Sequence, residues 1–181
     1  MNAIPPFEEP RGVVLSDTAV HLLRTAMKTN LALSQMADQK ASILMGAAFV
    51  VFTITTGQAA RGSVPPSLMC LALFAFTAAI LATMAILPST GGALPPPERR
   101  NMLFFGTFGH FSEEEFFDHL FKTMTTDEGI MRAMLRDLYQ NGLVLKRKKY
   151  KFLRLGYLCL LTGLVLTFAL FLAERARIPG L

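Results

Sequence analysis

The sequence lacks charge over three long stretches. Charged residues make up 17% of its 181 residues, whereas soluble domains carry about 25%. No charged residue occurs in residues 41–60, 62–97 or 155–173, which are 20, 36 and 19 residues long. About 20 helical residues cross a hydrocarbon core of roughly 30 Å, so each stretch is long enough to span a membrane. An ordinary soluble globular domain is therefore excluded.

The chain also lacks the residue patterns of an enzyme or a metal centre. It contains no His-Glu-x-x-His or Cys-x-x-Cys motif, no nucleophile elbow and no Walker loop. Cys70 and Cys159 both fall in apolar spans, where cysteine packs as a small side chain rather than forming a disulfide or a metal site. Acidic residues and histidines cluster at residues 110–119, and a capped surface helix explains them. We expect no catalytic residue, no metal ligand and no cofactor.

Ionisable side chains are missing from the spans themselves. Pumps, proton-coupled carriers and voltage sensors place such groups at membrane depth because a charge or proton must move there, so active transport is not expected. The spans contain small residues instead, such as Ser42 and Gly46, Ala75 and Ala79, and Gly163, which let helices approach closely. Two interpretations stay open. Either the three helices pack within one chain, or they form a subunit interface that opens a polar passage in a homo-oligomer.

The residues that are present predict an all-α integral membrane protein with three transmembrane helices. From Asp17, apolar residues recur every three or four positions, which predicts an N-terminal amphipathic helix that runs into the first span. Proline-rich residues 1–16 predict a flexible lead, residues 17–173 the main domain and residues 174–181 a short tail. Within the main domain we expect transmembrane helices at residues 41–57, 67–87 and 155–173, and a helical cytoplasmic insert at 88–154.

Capping residues predict two helices in the insert. Ser112 and Glu115 have the spacing of a capping box. Thr126 stands where a helix N-cap is expected, with acidic residues in the first turn after it. The second helix leaves one question open: residues 127–173 form either a single helix of about 70 Å or two helices broken at Gly142.

The distribution of basic residues predicts the orientation in the membrane, because cytoplasmic loops carry an excess of Lys and Arg. The turn between the first two spans contains only Arg61, whereas the insert contains 11 basic residues, seven of them within 136–154. The N-terminus and the insert are therefore expected in the cytoplasm, and the 58–66 turn and the tail outside.

The basic run at residues 146–151 has three interpretations. It can anchor the helix to the anionic inner leaflet, at about 1 kcal/mol per basic residue. It can also present one side of a helix to a small anion. A nucleic-acid patch is not expected, because the run is juxtamembrane rather than spread over a domain.

Three sequence blocks border the spans. They are ADQKASIL at residues 37–44, NMLFFG at 101–106, and residues 135–154. These blocks resemble the AD-x-KAS-x-LL, N-LLFFG and D-x-Y-x-x-G-x-x-L…KY-x-x-LR blocks of the Pycsar effector family, the transmembrane effectors of a bacterial pyrimidine-cyclase anti-phage system. Met102 stands where Leu is usual, and Asn141 precedes the glycine. The resemblance covers roughly residues 18–172.

The resemblance implies a receptor for cyclic UMP or cyclic CMP in the bacterial inner membrane. A paired cyclase makes the nucleotide on infection, and the effector impairs the membrane before the phage matures, which is abortive infection. Such a ligand needs cations, hydrogen-bonding groups and a stacking surface. The residues that fit these needs are the cations Lys40, Arg147 and Lys149, the polar residues Asp38, Asn101 and Asp137, and the aromatic residues Phe104, its neighbour Phe105, and Tyr139.

Alternatives remain for these residues and for the function. Asp38, Lys40 and Asp137 can instead form intramolecular salt bridges that fix the order of the helices, and Phe104 can be a core residue. For the whole chain, the alternative is a non-gated membrane anchor or scaffold for a soluble partner, with no nucleotide binding.

Overall fold

The computed structural model describes residues 16, 18–62, 64–88 and 94–176. Nearly all of the predicted lead and the last five residues of the predicted tail lie outside these ranges. The structure is helical, with no strand in the part of the chain it describes. The helices are α1 Ala19–Ala59, α2 Pro66–Ile86, the 3-10 turn Pro97–Arg99, α3 Phe105–Phe108, α4 Glu113–Met124, α5 Asp127–Val144, the π-helical turn Leu145–Lys149 and α6 Tyr150–Ala176.

Three helices are long and apolar enough to cross a membrane, which confirms the predicted all-α membrane fold. α1 has 41 residues, about 60 Å at 1.5 Å per residue. It contains both the predicted amphipathic helix and the first span, because neither Pro nor Gly interrupts it before Gly46. α2 covers the second span within one residue of the predicted limits.

The third span belongs to one continuous helix, Asp127–Ala176, with 50 residues. This answers the question about Gly142: the helix passes through it without a break. The irregularity lies a few residues later, where the backbone N–H of Tyr150 donates to the carbonyl of Leu145 and the π-helical turn forms. Such turns insert one residue into a helix and often occur at functional sites. Here the turn includes four of the basic residues of the 146–151 run.

α2 packs against both α1 and α6 and forms the centre of the bundle. Its packing surface consists of four buried alanines, Ala75, Ala78, Ala82 and Ala85. Their spacing of three and four residues places them on one side of the helix. Small side chains allow helix axes to approach closely, and this close contact is the main source of attraction between helices in lipid.

Two glycines of α6 complete this packing. A Cβ on Gly163 would meet Phe74 Cγ at 2.8 Å, and a Cβ on Gly156 would meet Leu44 Cδ2 at 2.8 Å. Position 163 therefore needs glycine for α2 to come so close, because the stem of the Phe74 side chain has no room to move, whereas at Gly156 the end of the Leu44 side chain would have to shift. The Ser42–Gly46 side of α1 differs, because Ser42 is exposed and a Cβ on Gly46 would meet nothing within 4 Å. Packing within the chain thus accounts for the glycines of α6 but not for this side of α1.

At the end of the bundle opposite the basic run, a carboxylate ties α6 to α2. Glu174 accepts hydrogen bonds from the backbone N–H of Ser67, at 2.9 Å, and from its hydroxyl, at 2.8 Å. Ser67 lies in the first turn of α2, where backbone N–H groups have no partner within the helix. The negative charge also complements the positive end of the helix dipole. α6 therefore continues into the segment that the sequence assigned to the tail.

The capping predictions for the insert are confirmed. Glu115 N–H donates to the Ser112 hydroxyl at 3.3 Å, and Ser112 N–H donates to the Glu115 carboxylate at 2.9 Å. The hydrogen bonds from the Ser112 backbone and hydroxyl lower the pKa of Glu115. Because the pKa of Glu115 is lower in the folded state than in the unfolded state, ionised Glu115 stabilises the fold at pH values above its unfolded-state pKa. This stabilisation is lost as the pH falls through the folded-state pKa. Thr126 caps α5 through the N–H of Gly129 at 3.1 Å.

The packing of α6 on α2 generates a prediction. Gly163→Ala should lower the thermal midpoint of the detergent-purified protein, since overpacking a close contact costs about 1–3 kcal/mol. The matched control is Gly57→Ala, which makes the same chemical change in open space within α1 and should leave the midpoint unchanged or slightly raised. Equal losses in the two variants would contradict the close approach at Gly163.

Candidate functional site

A cavity of about 420 Å³ lies between the N-terminal half of α1 and the α5–π segment. Its volume is in the range of roughly 300–1,000 Å³ that small-molecule sites occupy. Polar side chains come from both helices, and they are Lys28, Asn30, Ser34, Asp137, Asn141 and Lys149. Apolar side chains form the remainder of the wall, and they are Met27, Leu31, Leu138, Val144 and Leu145.

Lys149 lines the cavity and also pairs with α1. Its ammonium group lies 2.7 Å from both carboxylate oxygens of Asp38 and 2.8 Å from the hydroxyl of Ser34. The Lys149 side chain is 20% exposed and that of Asp38 is 44% exposed. The π-helical turn therefore carries an ion pair with α1 at the edge of the cavity.

Lys148, the residue before Lys149 in the π-helical turn, contacts α2 instead of α1. Lys148 donates to the carbonyl of Leu87, at the C-terminal end of α2, at 2.7 Å. A cation there complements the negative end of the helix dipole. Two neighbouring lysines thus connect the same turn to α1 and to α2. This use within the chain differs from the membrane-anchor interpretation of the whole basic run.

The α5 wall of the cavity contains a buried carboxylate. Asp137 Oδ1 accepts hydrogen bonds from the amides of Asn101, at 2.8 Å, and Asn141, at 2.9 Å. Asn101 is 2% exposed, and its amide oxygen accepts from the N–H of Leu103 at 3.0 Å. Burying a carboxylate is costly unless hydrogen bonds compensate for the lost water. The Asn101 amide supplies that compensation and joins the segment before α3 to α5.

Further polar contacts hold the walls together. Asn30 donates to the carbonyl of Leu138 at 3.1 Å and so connects α1 with α5 directly. Arg136 and Gln140 donate at 2.9 Å to the carbonyls of residues 100 and 99, respectively. Residues 99–101 are therefore held against α5 by hydrogen bonds.

The structure brings together four of the eight residues predicted from the sequence. Asp137 and Lys149 line the cavity, while Asn101 and Asp38 are hydrogen-bonded to them. Asp38 forms an intramolecular ion pair with Lys149, which agrees for this residue with the alternative that these residues fix the order of the helices.

The other four predicted residues do not line this cavity. Lys40 borders a separate groove. The ring centre of Phe104 lies 4.8 Å from that of Phe105. Tyr139 is 67% exposed, and Arg147 is also exposed. The expected stacking residues are thus absent from the cavity wall, and the surface available to a base is aliphatic. Their proposed contacts with a ligand stay predictions.

Sequence reasoning missed four polar residues of the wall, which are Lys28, Asn30, Ser34 and Asn141. A signal for two of them was present. Asn30, Ser34 and Asp38 are four residues apart, so they form a polar line along one side of a largely apolar helix. Lys28 and Asn141 show no comparable pattern in the sequence. Whether either residue lines the cavity depends on how α5 packs against α1.

The family model described as the Pycsar effector protein domain matches residues 21–174. This range contains all three spans, the insert and both walls of the cavity. No curated protein and no solved structure matches the chain.

The buried network at Asp137 generates a prediction. Asn101→Ala should destabilise the purified protein by about 2 kcal/mol, because it removes a hydrogen bond to a charged, buried group and leaves the Leu103 N–H without its acceptor. Asn141→Ala is the control, since it removes an amide from the same oxygen at a more exposed position. Thermal unfolding in detergent measures both. An Asn141→Ala loss as large as that of Asn101→Ala would contradict the role assigned to Asn101.

Proposed function

Given that the chain belongs to the Pycsar effector family, a non-enzymatic family of anti-phage defence effectors, we propose that it is a receptor for cyclic UMP or cyclic CMP. On binding, it impairs the integrity of the bacterial inner membrane, and infection becomes abortive. The observation that carries the proposal is the cavity between α1 and α5, because it combines a cation, amides and an apolar wall next to the membrane-spanning bundle.

The cavity fits the chemistry of a cyclic mononucleotide. The ligand has one negative charge on its cyclic phosphodiester, which Lys149 is placed to meet. Asn30, Asn141 and the carboxylate of Asp137 offer donors and acceptors for ribose hydroxyls or the edge of the base. The apolar residues of the wall accommodate a flat pyrimidine ring. Lys40 and Arg147, the other two residues predicted to meet the phosphate, lie outside the cavity.

The Asp38–Lys149 ion pair suggests how binding reaches the membrane. A phosphodiester that approaches Lys149 competes with Asp38 for the same ammonium group and so loosens the contact between α1 and the π-helical turn. Both α1 and α6 continue from this point into the spans, so a change in their contact alters the packing of the bundle. Only a difference in affinity between the two states drives such a change, and a shift from 1:99 to 99:1 needs about 5.5 kcal/mol.

The proposed topology places the cavity in the cytoplasm, where a cyclase releases its product. The excess of Lys and Arg in the insert supports this orientation. We further propose that the active form is a homo-oligomer, since three spans do not enclose a pore. The exposed Ser42–Gly46 side of α1 is the surface that supports association.

Nucleotide binding is the first test. Calorimetry on the detergent-purified chain should detect cyclic UMP or cyclic CMP but not cyclic AMP or cyclic GMP. Lys149→Gln should weaken binding at least tenfold, because a charge-assisted hydrogen bond contributes about 1.5–3 kcal/mol. Lys151→Gln removes the same charge from an exposed position outside the cavity and should bind like the wild type.

Two results would contradict the binding proposal. One is a folded wild-type protein that binds none of the four nucleotides, which would favour the non-gated scaffold. The other is an equal loss of affinity in Lys149→Gln and Lys151→Gln, which would indicate general electrostatic attraction instead of a defined site. Unfolding curves of each variant without ligand separate loss of binding from loss of structure.

Membrane leakage is the second test. Proteoliposomes loaded with a fluorescent dye should release it when the binding pyrimidine nucleotide is added, and cyclic AMP serves as the matched control. Lys149→Gln removes the cation for the ligand and also the ion pair with Asp38, so dye release without nucleotide should rise and added nucleotide should have little further effect. Binding without any leakage would refute the membrane-impairing role while leaving the receptor role intact.

A further inference from the structure

A second, shallower groove of about 340 Å³ lies between α1 and α6, and it is separate from the nucleotide cavity. Its walls are Lys40, Tyr150, Leu153, Arg154 and Tyr157. We propose that this groove binds the phosphate headgroup of an anionic phospholipid. The proposal depends on the membrane-spanning fold and not on nucleotide binding.

The two cations of the groove lie at the same edge of the membrane. Lys40 is the last charged residue before the uncharged stretch 41–60, and Arg154 is the last before the stretch 155–173. The Tyr157 hydroxyl donates to the backbone carbonyl of Lys40 at 3.2 Å, which links α1 and α6 at this level. Lipid phosphates lie at the border of the hydrocarbon core, so both cations are at the depth where a headgroup is found.

Neither cation is used within the part of the chain that the structure describes. The side chains of Lys40 and Arg154 form no hydrogen bond or ion pair there, and both residues are exposed. This contrasts with Lys148 and Lys149 of the same region, which bind Leu87 and Asp38. Two unpaired positive charges on neighbouring helices can be neutralised together by one phosphodiester.

The remaining features of the groove favour a lipid over a soluble anion. Two of the three tyrosines in the sequence line it, and the sequence has no tryptophan. Tyrosine is enriched at headgroup level because its ring is apolar and its hydroxyl polar. About one turn further along each helix, Ile43 and Leu161 are 61% and 59% exposed. These side chains provide an apolar surface for the acyl chains, which a free phosphate does not need.

The experiment compares lipids on the detergent-purified full-length chain. Phosphatidylglycerol should raise the thermal midpoint by several degrees more than phosphatidylcholine with the same acyl chains. Lys40→Gln/Arg154→Gln should remove most of that difference. The control, Lys146→Gln/Lys151→Gln, removes the same net charge from two exposed positions outside the groove and should retain it. Equal effects of the two lipids, or equal losses in the two double variants, would overturn the proposal.

Native mass spectrometry gives a readout that does not depend on stability. The wild type should retain at least one phosphatidylglycerol that Lys40→Gln/Arg154→Gln does not retain. Millimolar inorganic phosphate or cyclic UMP should leave this lipid bound. Displacement by either soluble anion would assign the groove to free phosphates and would refute the lipid proposal.

Discussion

The hydrocarbon core of a bilayer offers no hydrogen bonds to a polypeptide, and this shapes every long helix of the structure. Every backbone group at membrane depth must be satisfied within the chain, so the spans within the three uncharged stretches have to be helical. Helices surrounded by lipid gain little from burying apolar side chains, and they associate where small residues permit close contact. The alanine surface of α2 and the glycines Gly156 and Gly163 of α6 meet this requirement.

The same constraint favours the placement of charged interactions between helices at the ends of the bundle. At one end, Glu174 satisfies the first turn of α2. At the other end, the π-helical turn places Lys148 on the C-terminal end of α2 and Lys149 on Asp38 of α1. A change at this turn therefore acts on all three spans at once. This is the physical basis for proposing that a ligand near Lys149 influences the membrane region.

Sequence and structure agree best where the signal is local. The uncharged stretches are runs of contiguous residues, and the capping box at Ser112 and the N-cap at Thr126 each depend on residues within a few positions of one another. The site is harder to predict because its residues come from α1, the segment before α3, α5 and the π-helical turn. The polar residues Asp38, Asn101, Asp137 and Lys149 of the three sequence blocks do meet in two hydrogen-bonded pairs. Tyr139 and Arg147, within the same blocks, are exposed instead. Which way a residue faces depends on how its helix is rotated about the helix axis. The extra residue in the π-helical turn changes that rotation.

The sequence is enough to predict an all-α membrane protein with three spans, and its motifs indicate the family. Apolar length, the absence of charge and capping residues are properties of contiguous chain, and the physics of a lipid environment leaves few alternatives for them. Three-dimensional packing was needed to establish that residues 127–176 form one helix, that Lys149 pairs with Asp38, and that Asn30 and Ser34 line a cavity. The pairing and the cavity depend on how α1 lies against α5 and the π-helical turn, and contacts between residues about 100 positions apart hold that arrangement.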